Sequence, residues 1–102
     1  MDTNKLDTML NDLKQLKDEL TLKANLGVAE AQDELKKLEP LYEELKAKTE
    51  KVVDVAGDTA SELKAAAELG IDAESSEEVE TALELAGEQL KNAYGKIKSI
   101  LS

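Results

Sequence analysis

Residues 76–101, SEEVETALELAGEQLKNAYGKIKSIL, set Val79, Leu83, Ala86, Leu90, Ala93, Ile97 and Ile100 alternately four and three apart. That interval returns each side chain to one side of an α-helix, whereas strand side chains alternate every second residue. Ser75 with Glu78 has the spacing of a capping box, in which hydroxyl and carboxylate each accept a backbone N–H. Glu77, Glu78 and Glu80 stand at the start of the stretch and Lys91, Lys96 and Lys98 toward its end, both favourable to the helix dipole. The pattern predicts an amphipathic helix over 76–101.

Reading toward the N-terminus, Gly70-Ile71-Asp72-Ala73-Glu74 reads as a loop. Before it runs a long stripe: Val28, Ala31, Leu35, Leu38, Tyr42, Leu45, Thr49, Val52 and Ala56, again spaced three and four. Pro40 falls inside it, but the apolar phase passes through unbroken, so the pattern favours a kinked helix over 28–56 rather than a stop. At Gly57-Asp58-Thr59 two readings stand. Gly57 suits a helix end, and Thr59 with Glu62 matches another capping box opening a helix over 59–69. The phase also continues through Thr59, Leu63, Ala66 and Gly70, which fits one rod of about 60 Å at 1.5 Å per residue. The first segment carries Leu6, Leu10, Leu13, Leu20 and Ala24, flanked by Met9 and Leu16, over about 4–25, with Asp2-Thr3-Asn4 as caps and Gly27 as its close.

These segments predict one all-α domain over 1–102, an antiparallel helical bundle or elongated coiled coil of three to four helices. The expected packing seam is Val79, Leu83, Leu90 and Ile97 against Leu35, Leu38, Leu45 and Val52. Gly87 and Gly95 fall off the apolar seam of the last helix. Ala56, Ala66, Ala86 and Ala93 allow close approach but bury little area each, so the seam invites a second copy of the chain.

Composition narrows the function classes. The 102 residues carry 23 acidic and 13 basic side chains, a net charge of −10, and every basic residue is Lys. That balance disfavours direct nucleic-acid binding, which needs a positive surface, and docking on anionic lipid. No apolar run approaches the ~20 residues of a membrane span. Met1-Asp2-Thr3-Asn4-Lys5 lacks the charged and apolar regions of a secretory signal, so the expected location is cytoplasmic.

Chemistry finds little foothold. The sequence contains neither Cys nor His, which removes thiolate chemistry, imidazole bases and the Glu-x-x-His ligands of di-iron bundles. The glycines stand singly, with no phosphate-cradling spacing, and no Gly-x-Ser-x-Gly elbow occurs. No cofactor or metal is expected. Glu77, Glu80, Glu84 and Glu88 share one helix face within a stretch, Lys64 to Lys91, that has no basic residue in between. A solvated face explains them, and a basic protein partner is the functional reading.

The phrases Gly57-Asp58-Thr59-Ala60-Ser61-Glu62-Leu63-Lys64-Ala65 and Ala86-Gly87-Glu88-Gln89-Leu90-Lys91-Asn92-Ala93 resemble the repeated small-x-x-x-Leu-Lys phrase of small hydrophilic coiled-coil proteins of bacteria, some called stress-related. The resemblance implies a helical fold and carries no catalytic residues. Together these features favour a non-enzymatic helical interaction or scaffolding protein. Two other readings stand beside it: a stress-protective hydrophilic helical protein, and an acidic mimic or inhibitor of a nucleic-acid-binding site.

Overall fold

A computed structural model describes residues 1–101, which form four helices and no strand. They are α1 (Thr3–Ala24), α2 (Ala29–Asp54), α3 (Thr59–Glu68) and α4 (Ser76–Leu101). The architecture is an all-α bundle. Its extents are 48 × 22 × 17 Å, so helices such as the 26-residue α4, about 39 Å long, lie along its long axis.

The continuous rod over 28–69 does not form. At about 60 Å it would overrun the 48 Å axis, and the chain turns instead at Val55–Asp58, where Gly57 has φ +103°. A residue with a Cβ rarely adopts that conformation, so glycine here lets the chain double back. The cap that opens α3 is also not the expected one. Asp58, rather than Thr59, precedes the helix, and its Oδ1 accepts from the backbone N–H groups of Ala60 at 3.1 Å and Ser61 at 3.4 Å. Asp58 wins because its carboxylate sits one residue earlier, in extended backbone with φ −120° and ψ 103°, where a cap side chain can fold back onto the first turn. Glu62 is thereby freed from capping and turns inward.

α3 closes with the Ile71 N–H donating to the Ala66 carbonyl at 2.8 Å and that of Gly70 to Ala67 at 3.1 Å, a Schellman ending. The loop then feeds α4, where the Ser75 Oγ accepts from the Glu78 N–H and the Glu78 Oε2 accepts from the Glu74 N–H. α2 runs through Pro40 without a stop. Exposed on the helix, Pro40 forfeits one backbone hydrogen bond but needs no buried partner.

α1 packs against α2 and α4, α2 packs against α4, and α3 touches only α2 and α4. The long helices alternate in direction, as expected of such a bundle, which leaves the first and last of them, α1 and α4, parallel and side by side. The backbone N–H of Asp2 meets Glu80, Lys5 meets Glu84, and Met9 meets Gly87, so both chains ascend together. An up-down-up order leaves no other choice for its first and last long helices.

The core is aliphatic with two tyrosines. Leu6, Leu13, Leu20 and Ala24 of α1 close on Ala31, Tyr42, Leu45 and Val52 of α2 and on Val79, Leu83, Leu90, Tyr94 and Ile97 of α4. Each large side chain hidden this way contributes roughly 1.5–3 kcal/mol. The α4 seam is rotated from its predicted line: Gly87 and Tyr94 are buried, Ala86 and Ile100 are exposed, and Ala93 is half-buried. Gly87 is therefore on the seam, not off it. A helix packed against both α1 and α2 along its length needs an apolar arc wide enough for both, and the bulky Tyr94 takes the inner place over Ala93.

Candidate interaction surfaces

The predicted seam residues Val79, Leu83, Leu90, Ile97, Leu45 and Val52 are buried, while Leu35 and Leu38 are half-buried. Tyr94, which the heptad reading passed over, is fully buried. A signal for it existed: position 94 follows Leu90 by four and precedes Ile97 by three, as compatible with a helical stripe as position 93.

Among the described residues, three side-chain polar atoms lie buried without a hydrogen-bond partner: Thr49 Oγ1, Glu62 Oε2 and the Tyr94 hydroxyl. Burial is the main cause that pushes the Tyr94 phenol up to about 12. Tyr42 is raised in the same direction, again chiefly by burial, and the Lys17 Nζ stands 4.5 Å from its ring centroid. The other oxygen of Glu62, Oε1, accepts from Ser76 Oγ at 2.6 Å. This contact ties α3 to the first turn of α4. It is reinforced by Lys51 Nζ and Glu68 Oε2 at 2.7 Å, which tie α3 to α2. Among the described residues no group of three acidic side chains is placed to hold a metal ion.

The acidic row of α4 faces α1 rather than standing alone. Glu80 Oε1 accepts from the Asp2 backbone N–H at 3.1 Å, and Glu84 Oε1 pairs with Lys5 Nζ at 3.2 Å. The Glu84 hydrogen bond raises the Lys5 ammonium above its ordinary value. Half of the row thus fastens α1 in place, leaving Glu77 and Glu88 exposed.

A different surface stands out on the α2/α4 side, which α1 does not cover. Leu38, Leu41 and Leu45 from α2 and Ala86, Leu90 and Ala93 from α4 line a groove of about 240 Å³. Leu41 is 51% exposed, and Leu85, one row further out on α4, is 54% exposed. The ionised side chains on this groove are Glu44 and Lys48, paired with each other at 3.0 Å. The α1/α4 groove, in contrast, is bordered by Lys5, Asp12, Glu84, Glu88 and Lys91, and the α1/α2 groove by Lys17, Asp18, Lys36 and Glu39. Of these grooves the α2/α4 one carries the fewest charged side chains, and its two are paired with each other.

No protein-family model, curated protein or solved structure matches the chain. No helix among the described residues is long and apolar enough to cross a membrane.

Proposed function

We propose that this chain is a non-enzymatic helical interaction or scaffolding protein whose contact surface is the α2/α4 groove. The observation that carries the reading is the exposure of Leu41 in a groove of leucines and alanines flanked by one neutralised ion pair. Single exposed leucines such as Leu22 and Leu26 are ordinary on any surface. A lined, uncharged groove is the feature that partner helices use, laying their own apolar side chains between two others.

The acidic row supports a basic partner less well, because Glu80 and Glu84 already hold α1. The test is site-specific photocrosslinking. A benzophenone at position 41 is compared with one at Glu43, an exposed position on the same helix, and crosslinked products are identified by mass spectrometry. One defined polypeptide captured from position 41 and not from 43 supports the reading. Equal, diffuse labelling from both positions overturns it.

A further inference from the structure

We infer that the occupant of the α2/α4 groove is a second copy of the same chain, placed by a two-fold axis parallel to the helices. The inference rests on the reading of this groove as a contact surface, and it stands on three features of the face.

Size complementarity is the first. The α2 lip carries large side chains, Leu38, Leu41 and Leu45, and the α4 lip carries small ones, Ala86 and Ala93, on either side of Gln89, with Leu90 behind them. A two-fold axis along the bundle sets α2 of one copy opposite α4 of the other and keeps every residue at its own height. Leu41 of each copy then meets the Ala86–Ala93 row of its mate, knob against hole, twice over, as an isologous contact requires. The four helices at such an interface alternate in direction, the antiparallel arrangement of a four-helix bundle.

Charge is the second. Two chains of net charge −10 repel each other. Along α2 the row through Leu38, Leu41 and Leu45 is bordered by Glu34 with Lys37 at 3.1 Å and Glu44 with Lys48 at 3.0 Å. Each pair cancels itself, so two acidic molecules can meet here without opposing their excess charge. Area is the third. The 26-residue helices are about 39 Å long. At one end α3, of 10 residues, packs against both over about 15 Å. That leaves a face of about 24 Å by roughly 20 Å, on the order of 500 Å² per copy, the size of a weak, concentration-dependent dimer contact.

Sedimentation velocity over a concentration series tests the inference. Wild type is expected to move from monomer to dimer. Leu41→Glu and Ala86→Glu, both at exposed positions, are expected to weaken the dimer roughly tenfold or more by placing two unpaired carboxylates in the contact, with unchanged helical circular dichroism. Because the chain has no cysteine, thiols report geometry without interference. Leu41→Cys mixed with Ala93→Cys should form the mixed disulfide faster than either does with Asn11→Cys on α1, and this comparison holds even if the glutamate variants misfold. A wild type that stays monomeric throughout, or a dimer indifferent to both the glutamate substitutions and thiol position, overturns the inference. If the position 41 crosslinker then captures a different, identified polypeptide, the contact-surface reading survives; if it captures nothing specific, both fall.

Discussion

Met9 of α1 fills the space over Gly87 of α4: a Cβ built on Gly87 would fall on the Met9 Sδ, with Cγ and Cε also close by. The absence of a side chain at 87 is what makes room for the Met9 side chain between the two parallel helices. Gly95, two turns along the same helix, would meet nothing within 4 Å.

Alanine at these two glycines should therefore act with opposite sign. Gly95→Ala gains helix propensity and is expected to stabilise by about 0.5–1 kcal/mol. Gly87→Ala carries the same propensity gain but displaces Met9, and is expected to destabilise by about 1 kcal/mol. Urea denaturation measures both. In a Met9→Ala background the Gly87→Ala penalty should vanish, which a double-mutant cycle reads directly.

Tyr94 makes stability fall at high pH. The unfolded phenol titrates near 10 and the buried one at about 12, so between these values the unfolded state has released a proton that the native state keeps. Stability is intact below pH 10 and declines toward pH 12, by about 2–3 kcal/mol from this group. Tyr94→Phe should flatten that decline in urea titrations at several pH values. It should cost little at pH 7, since the buried hydroxyl has no hydrogen-bond partner to lose. A Tyr94→Phe variant as alkali-sensitive as wild type would contradict this.

Asp58 governs α3 at low pH. Its carboxyl is held below the usual 3.8, first by the Ser61 hydroxyl and then by the Ser61 and Ala60 backbone N–H groups. A lowered carboxyl supports the fold above its unfolded value and withdraws that support as pH falls through its native value. α3 should fray in that acid window before the rest of the bundle. Asp58→Ala should produce the same local loss at neutral pH, seen as faster amide exchange over residues 61–68 with α4 unchanged. Asp58→Asn, which still accepts a hydrogen bond, should lie between the two.

Pro40 costs α2 one backbone hydrogen bond at an exposed position. Pro40→Ala is expected to stabilise the fold by up to about 3 kcal/mol, measured as a higher denaturation midpoint with an unchanged slope. A loss of stability would mean that the backbone restriction proline imposes is needed for α2 to follow its neighbours.

Helical class, the large leucines of each stripe and the passage of α2 through Pro40 were legible from spacing, because the 3.6-residue period of a helix is written directly into which residues are apolar. Ser75 and Glu78 were legible for the same reason, since a cap acts over three residues. What spacing left open is every choice made between segments. Rod or hairpin at Gly57, Ala93 or Tyr94 on the inner line of α4, and Met9 over Gly87 all satisfy the local period equally well. They are decided by where α1 and α2 press against α4, which fixes how far each apolar arc is rotated and which of two adjacent residues meets a neighbour. The same holds for the surface. Ala86 belongs to a helical stripe by sequence and Leu41 stands beside one, yet both line an open groove because α1 lies on the opposite side of the bundle, and only packing among all the helices determines which apolar side chains remain uncovered.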